Sequence, residues 1–281
     1  MDPRAWRRFR RNRGALVGLG LVLFVLGAAL LGPWLAPFDP DHQFAQGLLD
    51  DGTPRPPGGE FLLGADTLGR DELSRLLHGG RASLSAALSA TLIAVLIGLA
   101  VGTIAGFFGG WVDSLLMQAV DVMQSLPFLL IAITVNRVVN SPSIVVLVVL
   151  LGLLSWTTLA RVTRTKTMQV RELEYVQAAR ALGMGEWRIL FRHVLPNVTG
   201  PAIVIGTTLV ANIILVESAM SFLGLGVPAP ASTWGTMLHD AQDMMSLAPR
   251  LVLYPGVLIV ATVFGFNLLG EGLRDALDPK D

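Results

Sequence analysis

Cysteine is absent from this chain of 281 residues, and charged residues make up only 15% of it. Without cysteine, no disulfide can brace a loop, and no thiolate can bind a metal or attack a substrate. In soluble domains about a quarter of the residues are charged, so the scarcity of charge excludes an ordinary water-soluble domain. The formal net charge is zero, so no overall field favours nucleic acid as a partner.

Motifs of catalytic, metal and nucleotide sites are also missing. Lysine occurs only as Lys166 and Lys280, and neither completes the glycine-rich loop that holds nucleotide phosphates. The chain contains neither Gly-x-Ser-x-Gly nor His-Glu-x-x-His. The histidines show no pair at the spacing of a zinc-binding helix, and they are His42, His78, His193 and His239. We therefore expect no catalytic residue, no metal site and no cofactor in this chain, which is predicted not to be an enzyme.

Long apolar runs are what the sequence has instead. Hydrophobic residues make up 52% of it, and the mean hydropathy is +0.60. Runs of about 20 apolar residues are long enough to cross a hydrocarbon core about 30 Å thick. The predicted fold class is therefore an all-α integral membrane protein with about six transmembrane helices. The predicted spans are 15–35, 84–108, 114–135, 143–160, 201–223 and 251–269, of which the third is the weakest because Pro127 interrupts it.

Basic residues lie mainly in the N-terminal tail, in the loop after the fourth span and in the C-terminal tail. Because Lys and Arg accumulate on the cytoplasmic side, these segments are predicted to be cytoplasmic, and the acidic loop after the first span to be external. The predicted units are a cytoplasmic tail (1–14), a first transmembrane helix (15–36), an external loop (37–83), a five-helix core (84–271) and a second cytoplasmic tail (272–281). The core includes a cytoplasmic loop at 161–198.

Small residues recur at every fourth position of the second span. They are Ala86, Ala90, Ala94, Gly98, Gly102 and Gly106. Residues four apart share one helix face, and small side chains there let another helix approach closely in lipid. We interpret the stripe first as packing inside the bundle, and alternatively as a subunit interface or a moving contact.

Three polar residues within apolar runs are candidates for a translocation path: Asp121, Asn212 and Glu217. An ionisable group in hydrocarbon is costly, which makes it a functional candidate by default. Glu217 either faces an amino group of a solute or accepts hydrogen bonds from Asn212, Ser218 or a partner subunit. Asp121 either has a role in transport or supports helix packing. An alternative function, an ion-gradient-driven secondary transporter, would use one of the two acids as its coupling group.

The longest predicted cytoplasmic loop has the pattern of two helices joined by a turn. The first is predicted over about 165–182 and stops at Gly183, and the second opens near Glu186 and ends before Pro196. Both carry large apolar side chains, including Leu182 and Trp187. Such groups need to be covered by the membrane surface, by the bundle itself or by a partner protein.

The same loop resembles the signature of the permeases of binding-protein-dependent ABC importers. That signature runs Glu-Ala-Ala, three residues, Gly, nine residues, Ile, one residue and Leu-Pro. The matching positions are Gln177, Ala178, Ala179, Gly183, His193, Leu195 and Pro196. Gln177 replaces the glutamate and His193 the isoleucine, so no carboxylate is available at 177. Further stretches, 61–75 with 80–84, 217–226 and 266–279, resemble the C-type permeases of the dipeptide and oligopeptide branch.

The resemblance implies a type I ABC importer permease fold, with both termini cytoplasmic, as a multi-pass protein of the prokaryotic plasma (inner) membrane. It implies four protein partners besides membrane lipid: a second homologous permease, two cytoplasmic ATP-binding subunits that hold ATP and magnesium, and an external solute-binding protein. The solute would be a dipeptide, an oligopeptide or a similar small molecule, such as a glutathione-like compound or a nickel chelate. The residues expected to dock the ATP-binding subunits are Gln177, Ala178, Ala179, Gly183, Glu186, Trp187, Arg188, Leu195 and Pro196.

Overall fold

The computed structural model describes residues 3–138 and 143–277, and most of these are helical. Extended segments in this part of the chain form only isolated bridges, so the all-α prediction is confirmed. The described α-helices are, in chain order, α1 (Pro3–Arg11), α2 (Arg13–Leu35), α3 (Glu72–Phe108), α4 (Gly110–Ser125), α5 (Phe128–Val138), α6 (Ile144–Arg171), α7 (Glu174–Ala181), α8 (Glu186–Ile189), α9 (Leu195–Phe222), α10 (Trp234–Asp240) and α11 (Arg250–Leu277). The predicted tail 272–281 lies partly outside the described residues.

Five helical segments are long and apolar enough to cross a membrane, and the number rises to six if α4 and α5 count as one bent span. The prediction of about six spans is therefore confirmed. The third span differs from the prediction, because it is not continuous. Its two helices meet at an angle of 79°, with Leu126 extended between them. Pro127 explains the break, since proline lacks an N–H and disfavours helical backbone at the residue before it.

The helix that contains the second span is longer than the predicted span, because it begins at Glu72 rather than near Leu84. Asp71 caps the helix, and its carboxylate accepts a hydrogen bond from the Ser74 backbone N–H at 2.8 Å. With 37 residues, α3 is roughly 55 Å long, well beyond the thickness of a hydrocarbon core. Its first turns therefore belong with the preceding segment, so the predicted loop 37–83 consists of the segment up to Asp71 and the first turns of α3.

The stripe of small residues on α3 packs against α6 within this chain. Every member of the stripe is buried. A Cβ on Gly98 would lie 2.8 Å from the Trp156 carbonyl oxygen, and a Cβ on Gly106 would lie 2.8 Å from Thr167 Cβ. Distances this short leave no space for a side chain. The interpretation as internal packing is therefore confirmed.

The tightest approach on this stripe predicts the effect of adding one methyl group. A Cβ on Gly102 would overlap the Thr163 hydroxyl and the Ala160 carbonyl, so α3 and α6 would have to separate. We expect Gly102→Ala to lower the free energy of unfolding by about 1–3 kcal/mol, as overpacking does elsewhere. Thermal denaturation of the purified chain measures the change. Gly20→Ala is the matched control, since a Cβ there has no neighbour within 4 Å, and equal destabilisation by both would contradict the packing argument.

The two ends of the bundle carry different structures. At one end, the segment 36–71 precedes α3 and also covers the start of α11, where Arg250 donates to the Pro54 carbonyl at 2.8 Å. At the other end, Phe9 of α1 is buried with Ala15 and Ala276, so α1 and the end of α11 meet. Phe107, near the end of α3, packs against the loop that follows α6. That loop and α1 therefore lie at the end opposite to the segment 36–71.

Four charged side chains hold the segment 36–71 on the bundle: the buried Asp66, Arg70 and Arg75, and the partly exposed Asp240. We call them the external charge cluster, because the segment is predicted to be external. Asp66 Oδ2 lies 2.6 Å from Arg70 Nε and 3.2 Å from Arg75 Nε. Asp240 Oδ2 lies 3.4 Å from Arg75 Nη2. Burial raises the pKa of Asp240, and the two guanidinium groups act in the opposite direction. The cluster joins the segment to α3 and α10.

Candidate functional site

The loop after α6 forms a hairpin from α7, a turn at 182–185 and α8, and we call it the loop hairpin. The prediction of a single helix over 165–182 is wrong, because α6 ends at Arg171 and α7 begins at Glu174. Side chains explain the break. Arg171 Nη1 donates to the carbonyls of Gly106 at 3.2 Å and Phe107 at 3.1 Å, and Gln177 Nε2 donates to the Arg171 carbonyl at 3.1 Å. These bonds satisfy terminal carbonyl groups and fix α6 to the end of α3.

The second helix of the hairpin begins at Glu186 as predicted, but it does not end before Pro196. A π-helical turn, Leu190–Val194, connects α8 directly to α9. Pro196 lies in the first turn of α9, directly after the π-helical turn, and the helix continues through it. The segment from Glu186 to Phe222 is thus one helical path of 37 residues. The helix α8 is therefore continuous with a membrane span.

The inner face of the loop hairpin has its own apolar core. Its buried members are Phe107, Val176, Ala179, Ile189, Leu190, Val194 and Val198. Full burial of a large aliphatic side chain contributes about 1.5–3 kcal/mol, so this small core can hold the two short helices in place. The hairpin therefore packs on the ends of α3 and α9.

The turn between α7 and α8 is fixed by one backbone conformation and one ion pair. Gly183 has φ of +79°, a left-handed conformation that glycine adopts without strain. Arg180 donates to both carboxylate oxygens of Glu186, at 2.9 and 3.0 Å, and this hydrogen bonding raises the pKa of Arg180. The pair is partly exposed, so it sets the angle of the turn more than it stabilises the fold.

The outer face of the loop hairpin exposes large apolar side chains, which we call the hairpin apolar face: Leu182, Trp187 and Phe191. Their exposed fractions are 88%, 57% and 61%. The Trp187 ring stacks on Phe191 at 6.1 Å between centroids. Large exposed apolar patches mark interaction sites, and tryptophan is frequent among the residues that dominate binding energy at interfaces. This face can bury apolar surface against another protein.

The structure brings the predicted docking residues together on the hairpin but does not expose all of them. Gln177, Ala178, Gly183, Glu186, Trp187, Arg188 and Pro196 are exposed, whereas Ala179 is buried and Leu195 is half-buried. The predicted set omitted Leu182 and Phe191, which the structure exposes. The sequence did contain a signal for Phe191, because this residue follows Trp187 by four positions and so lies on the same helix face. Whether each residue contacts an ATP-binding subunit stays a prediction.

Glu217, a candidate for the translocation path, is fully buried between α9 and its neighbours. Its Oε1 accepts a hydrogen bond from Ser221 Oγ at 2.8 Å, and Ser218 Oγ lies 3.5 Å from Oε2. The hydroxyl groups of Ser83 and Thr233 also face the carboxyl. Of the partners predicted from the sequence, Ser218 is present, while Asn212 is exposed elsewhere on α9. This arrangement favours a packing role for Glu217, and its role in a path stays a prediction.

Asp121 lies on the exposed side of α4 and forms an ion pair with Arg161 of α6. The pair connects the first half of the bent span to the helix that leads into the loop hairpin. Both side chains are at least half exposed on the surface of this chain. The contact fits the predicted role in helix packing, and a role for Asp121 in transport stays a prediction.

The hydroxyl network around Glu217 predicts how two substitutions differ. Glu217→Gln keeps an acceptor for Ser221, so we expect solute uptake, the activity that the sequence predicts, to stay close to wild type. Glu217→Ala removes every acceptor atom, and we expect the free energy of unfolding to fall by about 1–3 kcal/mol. Uptake assays and thermal denaturation measure the two effects. A large loss of uptake in Glu217→Gln at unchanged stability would instead show that the charge itself acts in transport.

These observations define the class of the protein: a multi-pass helical membrane protein with a structured hairpin at one end of its bundle. Residues 98–280 match the family described as binding-protein-dependent transport system inner membrane component. Residues 4–54 match the N-terminal TM domain of oligopeptide transport permease C. The chain therefore belongs to the family of inner membrane components of binding-protein-dependent transport systems, and it is a permease subunit of an ABC importer. This assignment replaces the alternative function, an ion-gradient-driven secondary transporter.

Similar proteins of established name match nearly the whole chain. The di/tripeptide transport system permease protein DppC of Pseudomonas aeruginosa (strain UCBPP-PA14) is 42% identical, over 98% of this chain and 91% of that protein. The glutathione transport system permease protein GsiD of Pectobacterium atrosepticum is 38% identical, over 98% and 90%. GsiD of Salmonella typhimurium is 40% identical, over 98% and 89%.

Proposed function

We propose that this chain forms half of the membrane path of an importer for small peptides or peptide-like solutes such as glutathione. The names of the similar permeases, which transport di- and tripeptides or glutathione, support this substrate class. The chain itself performs no chemistry in this proposal. Adenosine triphosphate and magnesium are bound by partner subunits, because the sequence has no phosphate-binding loop.

The observation that carries the proposal is the continuity of the loop hairpin with α9. A cytoplasmic ATP-binding subunit covers the hairpin apolar face and moves α8 when it binds nucleotide. Because α8 and α9 form one helical path, that movement changes the position of a membrane span. The same movement reaches α3 through the apolar core that Phe107 of α3 shares with Ile189 of α8.

The partners follow from this arrangement. A second homologous permease completes the path, two cytoplasmic ATP-binding subunits bind the two loop hairpins, and an external solute-binding protein delivers the solute. The end of the bundle with α1 and the loop hairpin then faces the cytoplasm, as its arginines indicate, and the segment 36–71 faces outward. Both termini are cytoplasmic in this orientation.

Reconstitution into proteoliposomes tests the proposed function. The purified chain alone is expected to show no ATP hydrolysis and no uptake driven by an ion gradient. Together with the partner permease, the ATP-binding subunits and the binding protein, it is expected to support ATP hydrolysis stimulated by a dipeptide or by glutathione. Gradient-driven uptake by the chain alone, or stimulated hydrolysis in the complex without this chain, would disprove the proposal.

A further inference from the structure

The N-terminal helix α1 carries arginines on its exposed surface and no acidic residue. Arg7, Arg10 and Arg11 are exposed, and with Trp6 they line a shallow cleft on the surface. In the described part of the chain, none of these three arginines forms an ion pair. The spacings of three and four residues place them on one side of the helix.

The opposite side of α1 fixes the helix to the bundle. Phe9 is buried against Ala15 of α2 and Ala276 of α11, and its ring stacks on Trp6 at 5.9 Å between centroids. Trp6 is itself 49% exposed, so one part of the indole packs on Phe9, and the other part can contact molecules outside the chain. The orientation of the arginine face is therefore set by a buried anchor.

The position of α1 relative to the membrane follows from its connection to α2. Asn12 alone separates the two helices, and it has extended backbone, with φ of −83° and ψ of 108°. Its side chain caps α2 at the Ala15 N–H, at 3.2 Å, and donates to Asp275 Oδ2 at 3.1 Å. Because α2 is a membrane span, a helix joined to it by a single residue and packed on the end of α11 must lie at the membrane boundary.

We propose that the face formed by Trp6, Arg7, Arg10 and Arg11 binds the headgroups of anionic phospholipids. Guanidinium groups donate paired hydrogen bonds to phosphate oxygens, and tryptophan favours the headgroup region of a bilayer. A cluster of basic residues next to a span attracts acidic lipids electrostatically. The rigid attachment of α1 through Phe9 means that a bound headgroup also holds α2 and α11 together at this end of the bundle.

Lipid binding by the full-length chain tests the proposal directly, without any partner subunit or transport activity. The chain is purified in detergent, and native mass spectrometry measures the dissociation constants for phosphatidylglycerol and for phosphatidylcholine with the same acyl chains. The variant is Arg7→Gln/Arg10→Gln. The matched control is Arg55→Gln/Arg81→Gln, which removes the same charge from exposed positions at the opposite end of the bundle.

We expect the wild-type chain to prefer phosphatidylglycerol and the variant to lose most of that preference. Each basic residue near an acidic lipid surface contributes roughly fivefold, so the pair should weaken phosphatidylglycerol binding by about 25-fold. The control should change binding by less than about twofold. Arg7→Lys/Arg10→Lys keeps the charge and should retain the preference, which separates a lost lipid contact from a misfolded helix.

Two results would overturn the proposal. One is equal binding of both lipids by the wild-type chain. The other is unchanged phosphatidylglycerol binding in the Arg7→Gln/Arg10→Gln variant. If that variant also fails to assemble with the ATP-binding subunits, the arginine face binds an acidic protein surface instead of a lipid surface.

Discussion

Trp187→Glu is expected to reduce solute-stimulated ATP hydrolysis and uptake by at least about tenfold in the reconstituted transporter. Trp187 is the largest side chain of the hairpin apolar face, and its ring also contacts Phe108 at 5.2 Å between centroids. Burying a carboxylate in an apolar interface without a partner is strongly unfavourable, so the ATP-binding subunit should no longer dock. The inner core of the hairpin does not include Trp187, so the chain should still insert and fold.

Two controls separate docking from folding in this experiment. Trp187→Phe keeps an aromatic surface and is expected to retain most of the activity. Gln169→Glu adds the same charge to the exposed side of α6, outside the hairpin apolar face, and should have little effect. If Trp187→Glu transports as well as Gln169→Glu, the hairpin apolar face is not where the ATP-binding subunit binds.

The second large effect is expected at the external charge cluster. Asp66→Ala would remove the carboxylate that binds both Arg70 and Arg75, whose side chains are almost completely buried. Of the ion pairs in the described part of the chain, those with Asp240 would remain, and its Oδ2 lies 3.6 Å from Arg70 Nη2 and 3.4 Å from Arg75 Nη2. Breaking a buried ion pair by removing one partner costs about 3–5 kcal/mol, and we expect a loss of stability of this size.

Chemical denaturation of the purified chain measures this loss, and limited proteolysis of the segment 36–71 shows whether the segment detaches. Asp51→Ala is the control, because Asp51 is exposed and its carboxylate accepts hydrogen bonds from the backbone N–H and hydroxyl of the nearby Thr53. We expect that control to change the free energy of unfolding by at most about 1 kcal/mol. Equal losses in both variants would mean that the external charge cluster does not hold the segment.

The sequence predicted the membrane spans well, because their signal is local. A run of about 20 apolar residues identifies a span without knowledge of its neighbours. The loop hairpin was located for a similar reason, since Gly183 and the spacing to Pro196 are features of one short stretch. The helix bounds inside the loop were wrong at two places. Hydrogen bonds from Arg171 and Gln177 end α6, and the first turn of a helix accepts Pro196.

Contacts between distant parts of the chain could not be predicted in the same way. Arg75 and Asp240 are separated by 165 positions, and no periodicity relates them. The hydroxyl groups around Glu217 come from α3, α9 and the segment before α10, so its surroundings depend on how three elements pack. Hydropathy correctly marked Glu217 as unusual, but only the tertiary structure shows which groups surround it.

The π-helical turn between α8 and α9 determines on which side of the helix the side chains of α8 lie. In a regular helix, Trp187, Phe191 and Val194 would lie on one side, because their spacings are four and three residues. Here the Leu195 N–H bonds to the Leu190 carbonyl, five residues back, and the wider turn leaves the two aromatic rings exposed while Val194 is buried. Deleting one residue from this turn would rotate the rings by about 100° around the axis of α9 and point them away from any docked subunit.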